Sequence, residues 1–206
     1  MFSLFGKPKN KPLSINSSQY HRENNILVFE DLKSVLNKKS SSITKNQILY
    51  QGLALDKINI KELEKYFGKE TFLLDHADKI RGHKVYFYRK NVENYKLIIQ
   101  LHFIEDIFFY TSTKVSSESQ VTDKDKQKIC ATLLSHYPDI PISTNSFEYE
   151  FMDTQGNIIS TRDHIYLYIN YYANNTAVDK LRKMIENSDF TVTSVQANEE
   201  KLENFL

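Results

Sequence analysis

The chain has 206 residues, with 27 Lys+Arg against 26 Asp+Glu, 40% hydrophobic residues, 13 Tyr, 13 Phe, one Cys and no Trp. That apolar and aromatic content can offset the entropy of ordering, which excludes a wholly disordered chain. The near-zero net charge gives no global pull toward nucleic acid or anionic lipid. One cysteine makes neither an internal disulfide nor a zinc–thiolate site, and no run approaches the roughly 18 apolar residues of a membrane span.

At the N-terminus, Met1-Phe2-Ser3-Leu4-Phe5-Gly6 precedes Lys7, Lys9 and Lys11. A secretory signal has the reverse order and a longer apolar stretch. With the lone Cys130, this predicts a cytoplasmic protein. Residues 1–45 hold 8 basic and 3 acidic residues and end in the Ser- and Lys-rich run Lys38–Ser42. They read as a flexible basic segment with a short helix near residues 30–37, where Leu32, Val35 and Leu36 recur at helical spacing. A single α+β domain is expected over residues 46–196, followed by a tail over 197–206.

Within that domain, Asn59 and Glu62 form a capping-box pattern, with Ile58 and Leu63 placed for a hydrophobic staple. Ile60, Leu63 and Phe67 line one face, and Gly68 ends a helix over residues 60–67. Strands follow at Thr71–Leu74, His83–Arg89, Tyr95–Phe103 and Ile107–Lys114, rich in β-branched and aromatic residues. The connections Lys90–Asn94 and Glu105-Asp106 are short enough for hairpins, so the run is an antiparallel meander.

Thr122 caps the next helix, which carries Cys130, Leu133, Leu134 and Tyr137 on one face and stops at Pro138. Cys130 therefore belongs to the core. Strands are expected at Phe147–Phe151 and Ile158–Tyr172, joined by the turn chemistry of Asp153–Asn157. A helix opens at Thr176 with Val178, Leu181, Met184 and Ile185 inward, and a last strand is expected at Phe190–Val195. Strand runs broken by single helices predict an α+β fold, mainly antiparallel, with about three to four short helices.

No catalytic motif is present: no His-Glu-x-x-His, no Gly-x-Ser-x-Gly, and no phosphate loop among 5 glycines. Neither a cofactor nor a metal is expected. The densest acid–histidine clusters are Asp75-His76-Ala77-Asp78 and Arg162-Asp163-His164. A hydrolase or nuclease reading would use His76, Asp78 and His102 or His164, with a divalent ion. A third reading is an adaptor whose 1–45 segment orders on a partner.

The leading expectation rests on strand alternation. Tyr86 and Tyr88, Glu148 and Glu150, and Tyr166 and Tyr168 fall opposite the apolar positions of their strands. If those faces adjoin, they make a tyrosine surface with carboxylates. Tyrosine is enriched in binding hot spots. The acidic neighbours point to a basic protein partner and away from nucleic acid or a membrane.

A small α+β chain rich in Asn, Lys, Ile and Tyr, without a catalytic motif, resembles the immunity proteins that neutralise bacterial toxins. The segment Leu53–Lys69, leading through Phe67-Gly68-Lys69 into Tyr/Phe-rich strands, is also similar to the helix-then-strands unit of small inhibitor and outer-membrane-assembly lipoprotein folds. The first resemblance implies a non-enzymatic inhibitor that occludes a toxin's active site.

Overall fold

The computed structural model describes residues 17–143 and 145–187. The predicted strand Phe190–Val195, the tail 197–206 and the first sixteen residues lie outside them. The fold is α+β. Its centre is one seven-stranded, wholly antiparallel sheet of order β3-β4-β5-β6-β9-β8-β7. The strands are β3 (Phe72–Asp75), β4 (His83–Val92), β5 (Tyr95–Ile104), β6 (Ile107–Ser117), β7 (Glu150–Met152), β8 (Ile158–Asp163) and β9 (Leu167–Tyr172). A separate two-stranded hairpin, β1 (Leu49–Tyr50) with β2 (Leu53–Ala54), precedes them.

The segment expected to be a flexible lead-in folds from Ser17 onward. It forms α1 (Ser17–Glu23) and α2 (Phe29–Leu36). Tyr20 stacks on Phe72 at 4.3 Å and meets Phe87 edge-on at 5.0 Å. Ile26, Leu32 and Leu36 join the main core. Asp31 anchors the start of α2 by accepting from the backbone N–H groups of Leu27 and Val28 at 2.9 and 3.1 Å. Seen as sequence, this stretch is polar and basic; its burial comes from rings supplied by β3 and β4.

The capping signals act as read. Asn59 accepts from the Glu62 N–H at 3.2 Å, and the segment runs through a 3₁₀ turn into α3 (Leu63–Phe67) before Gly68. Thr122 and Asp125 satisfy each other's backbone N–H groups at the start of α4 (Asp123–Leu134). The last described helix, α5 (Thr176–Glu186), opens at the expected residue and is capped by Asn175. Its Val178, Leu181 and Ile185 are buried, whereas Met184 is exposed because it lies off that stripe.

Both faces of the sheet are covered. On the first, Tyr86, Ile99, Leu101 and Tyr171 pack under α3, α4 and the β1–β2 hairpin: Tyr50 meets Tyr171 at 5.0 Å and Phe67 at 5.8 Å. On the second, α1 and the chain that follows it lie across β4 and β5, with Gln100 donating to the Glu23 carbonyl at 2.6 Å. There α2 continues the cover and holds α5 through Arg182 Nε on the Leu36 carbonyl at 2.8 Å. Cys130 is core, and burial pushes its thiol up to about 11, the behaviour of an inert cysteine.

A tight turn and a bulge shape the sheet where β5 passes into β6. Glu105 and Asp106 both have positive φ (48° and 64°), the mirror-image turn that suits a two-residue hairpin. Close by, the register shifts between His102 and Phe103, so that Phe109 is an extra residue in β6. The bulge brings the rings of both Phe109 and Tyr110 against His102, at 6.1 and 5.0 Å.

Candidate partner-binding cleft and a buried histidine chain

The six residues expected to share a surface divide between the two faces. Tyr86 is registered with Leu101 and Tyr88 with Ile99, so both lie with the aliphatic stripe of β5, not opposite it. Tyr88 is 2% exposed, and Tyr86 packs edge-on against Phe103 at 5.5 Å. The expectation fails for these two because both sides of β4 are buried: Val85 and Phe87 face α1 while Tyr88 faces α3. Alternation does not identify an outer face where none exists.

Tyr166 and Tyr168 share a cleft on the second face, and Glu148 and Glu150 lie in a neighbouring depression. Glu150 is registered with Ser160, and Tyr168 with both Arg162 and Lys114. A cleft of about 380 Å³ opens between this end of the sheet and α2. Its base is the buried trio Tyr110, Asn170 and Tyr172. Tyr110 donates to Asn170 Oδ1 at 2.9 Å, and burial raises its hydroxyl pKa. Asn25, Asp31, Ser34 and Val35 form the helical wall. The opposite wall is Arg162, His164, Ile165, Tyr166 and Tyr168 from the β8–β9 hairpin. Ile165, at its tip, is 81% exposed. A shallower depression with Glu148 and Glu150 shares Arg162 and His164 with the cleft.

The charge around these rings differs from the expected acidic setting. Glu150 is ion-paired with Lys38 at 2.5 Å. Lys114 Nζ sits 4.1 Å from the centre of the Tyr166 ring. Arg162 stands between the carboxylates and the tyrosines and has no ion-pair or hydrogen-bond partner among the described residues. The sequence marks Arg162 only as a neighbour of Asp163 and His164, and Lys114 not at all. Whether a charge has a counter-ion depends on strand register, which composition does not carry.

A larger cleft of about 930 Å³ lies on the first face, between α4 and the tips of the β1–β2 and β4–β5 hairpins. It is lined by apolar groups including Leu49, Val92, Ile129 and Leu133. Its charged pair is already closed, Lys128 to Glu93 at 3.3 Å, and Tyr95 donates to Asp125 at 2.9 Å. It offers apolar area but few free groups to orient a ligand.

The histidine candidates for catalysis form a different object. His76 Nδ1 lies 3.1 Å from His83 Nδ1, and His83 Nε2 lies 3.1 Å from His102 Nδ1. All three are buried, at 1%, 0% and 0% exposure, and none lines either cleft. His102 Nε2 is sealed without a partner. Three neutral rings carry three protons, of which each N···N contact uses one. The third proton sits at one end of the chain or the other, so two neutral arrangements exist; interconverting them shifts both shared protons while one end nitrogen loses a proton and the other gains one.

His83, absent from the sequence constellation, is the link. His164 belongs to the cleft instead, and Asp78 is exposed in the β3–β4 loop, acting on His76 only through its charge. Among the described residues, no group of three or more His, Cys, Asp or Glu is arranged to hold a metal ion, and no helix is long and apolar enough to cross a membrane. The sequence matches no family model, no curated protein and no solved structure.

Proposed function

We propose that this protein acts by binding another protein, as the immunity proteins it resembles do, and that the β8–β9 cleft is the contact surface. The observation that carries this reading is the concentration at one exposed place of tyrosines and of a cation, Arg162, that has no counter-ion among the described residues. Tyr166, Tyr168 and Arg162 line a preformed cleft whose base is fixed by a buried hydrogen bond, and Lys114 sits over the Tyr166 ring beside it. Tyrosine and arginine at the centre of a pocket dominate binding energies in known interfaces. The exposed Ile165 adds apolar area at the tip. Against the hydrolase reading stands the sealing of His76, His83 and His102, which leaves a substrate no approach. Occlusion of a toxin is the specific form this binding takes in the resembled family, and inhibition follows if the partner's active site is what enters or abuts the cleft.

The test is capture of the partner by the full chain from its native lysate, with a Tyr166→Ala/Tyr168→Ala variant beside it. Loss of two hot-spot tyrosines costs about 2–4 kcal/mol, a drop in affinity of roughly 30-fold or more. Their partly exposed positions leave the fold intact, which circular dichroism verifies. A partner retained equally by the variant contradicts this surface.

A further inference from the structure

We infer that α1, β3 and the β3–β4 loop form a flap that stays on the sheet at neutral pH and is released by acid, with the buried histidine chain as its catch. This goes beyond the partner-binding reading and does not depend on it. The flap has its own apolar cluster, apart from the main core: Tyr20 of α1 and Leu74 of β3 pack with Val85, Phe87 and Ile98 of β4 and β5. Its polar fastenings are few. Glu23 pairs with Arg89 at 2.8 Å, and the Gln100 side chain holds the Glu23 carbonyl at 2.6 Å and the Asn25 N–H at 3.1 Å. Among the described residues β3 is an edge strand, paired only with β4. In the loop, Ile80 is buried in the main core and resists release.

The catch works by proton counting. Each contact, His76 to His83 and His83 to His102, needs one N–H and one bare nitrogen. One added proton goes to the bare end nitrogen and leaves both contacts standing. A second must enter a contact, where two N–H groups then face each other and two charged rings share one dry site. His76 belongs to the loop, so lifting the loop takes it off His83 Nδ1 and lets both rings meet water. His102 stays against Phe109 and Tyr110 of β6. Asp78 and Asp75 favour charging His76, while Lys79 of the loop and His21 of α1 oppose it. On His83 the acting charge is His76, and on His102 it is His83 and then His76. Glu105, from the β5–β6 turn, lies against Gly82 beside His83. Once charged, His76 and His21 repel, which pushes the loop and α1 apart.

The sign follows from the protons. The closed flap binds fewer of them than the open one, so falling pH favours the open form. A histidine that is held neutral in the closed form and titrates near 6.5 in the open one raises the open population about 25-fold between pH 7 and pH 5. His76 and His83 both act in this direction. Release uncovers Val85, Phe87 and Ile98 and frees the edge of β4 where Lys84–Phe87 pair with β3. An apolar strand edge of this kind is a ready template for pairing with another chain.

Amide hydrogen exchange on the full chain at pH 7 and pH 5, corrected for the intrinsic pH dependence of exchange, tests this without a partner. Amides of Ser17–Glu23, Phe72–Asp75 and residues 76–81 are expected to be less protected than those of β5, β6 and β9 at both pH values. Their protection is expected to fall at least tenfold from pH 7 to pH 5, and by less in His76→Gln, which cannot take a charge there. Arg89→Gln, which loosens α1 at a partly exposed position, is expected to speed exchange in the flap and leave β6 and β9 unchanged. Flap protection level between the two pH values overturns the inference. So does protection equal to that of the central strands, which would mean that only global unfolding opens the flap. An undiminished pH response in folded His76→Gln, or exchange raised equally throughout Arg89→Gln, overturns it as well.

Discussion

Acidification from neutral pH to about pH 5 is expected to destabilise the fold by roughly 2 kcal/mol through His83 alone. Burial first, and then the neighbouring His76, pushes the His83 imidazole down to about 3. Burial does the same to His102, reinforced by His83 and His76. His76 is also lowered by burial, which outweighs Asp78 and Asp75, while Lys79 and His21 of α1 add to the lowering. The unfolded chain takes up protons near pH 6.5 and the folded chain does not, so the unfolded state binds more protons as pH falls. Stability is therefore whole above about pH 6.5 and declines toward pH 3, by about 1.4 kcal/mol per pH unit for His83, with His76 and His102 acting in the same direction. Urea midpoints measured across this range give the slope directly. Replacing His102 with Gln should flatten it, since one uncharged ring leaves the chain. A stability profile level between pH 7 and pH 5 contradicts the burial of three neutral imidazoles.

The second large effect is expected at Asp153. This residue is 1% exposed and accepts four hydrogen bonds. Oδ1 takes the N–H groups of Gln155 and Asn157, both at 2.9 Å. Oδ2 takes the Ile48 N–H at 2.9 Å and the Asn157 side-chain amide at 3.0 Å. It ties the β7–β8 turn to the chain entering β1, and Asn157 in turn holds the Asn174 N–H at 2.8 Å, at the entry to α5. Asp153→Ala strands buried donors at Ile48 and Asn157, at about 1–3 kcal/mol each. A total near 4 kcal/mol, or a Tm lower by about 8–16 °C, is expected by calorimetry. Asp153→Asn keeps one acceptor oxygen and should fall between the two. A loss in the alanine variant below about 1 kcal/mol contradicts the role of this carboxylate.

Sequence signals are legible where the chemistry is local. Asn59 and Thr122 cap helices with their own side chains, and Glu105-Asp106 turns a hairpin within two residues. The single strand expected over Ile158–Tyr172 is instead two strands, β8 and β9, joined at His164–Tyr166. Asp163 pairs with Leu167, four residues on, so the odd-numbered positions face the same side before and after the turn. A two-residue period therefore reads straight through it, and no Gly, Pro or Asn marks the corner. The fold of residues 17–45 is hidden from a local reading because Tyr20 is buried by Phe72 and Phe87, more than fifty positions away.

The candidate site is half visible by the same logic. Tyr168 follows from alternation in β9, a local pattern, and Tyr166 sits in the turn just before it. Tyr86 and Tyr88 fall on the wrong face because the side they share with Ile99 and Leu101 is set by register, which is long-range. The sequence does not show that Arg162 lacks a counter-ion among the described residues, because that is a property of the assembled sheet. His83 stands outside any acid–histidine cluster, yet its ring connects His76 to His102.

The most direct test of the proposed contact surface is amide hydrogen exchange on the full chain, free and bound to the captured partner. New protection is expected across Arg162–Tyr172 and Asn25–Val35, the two walls of the cleft, with little change at Val92 and Ile129–Leu133 on the opposite face. Protection confined to those latter residues would place the partner in the larger apolar cleft and contradict the claim that the β8–β9 surface makes the contact.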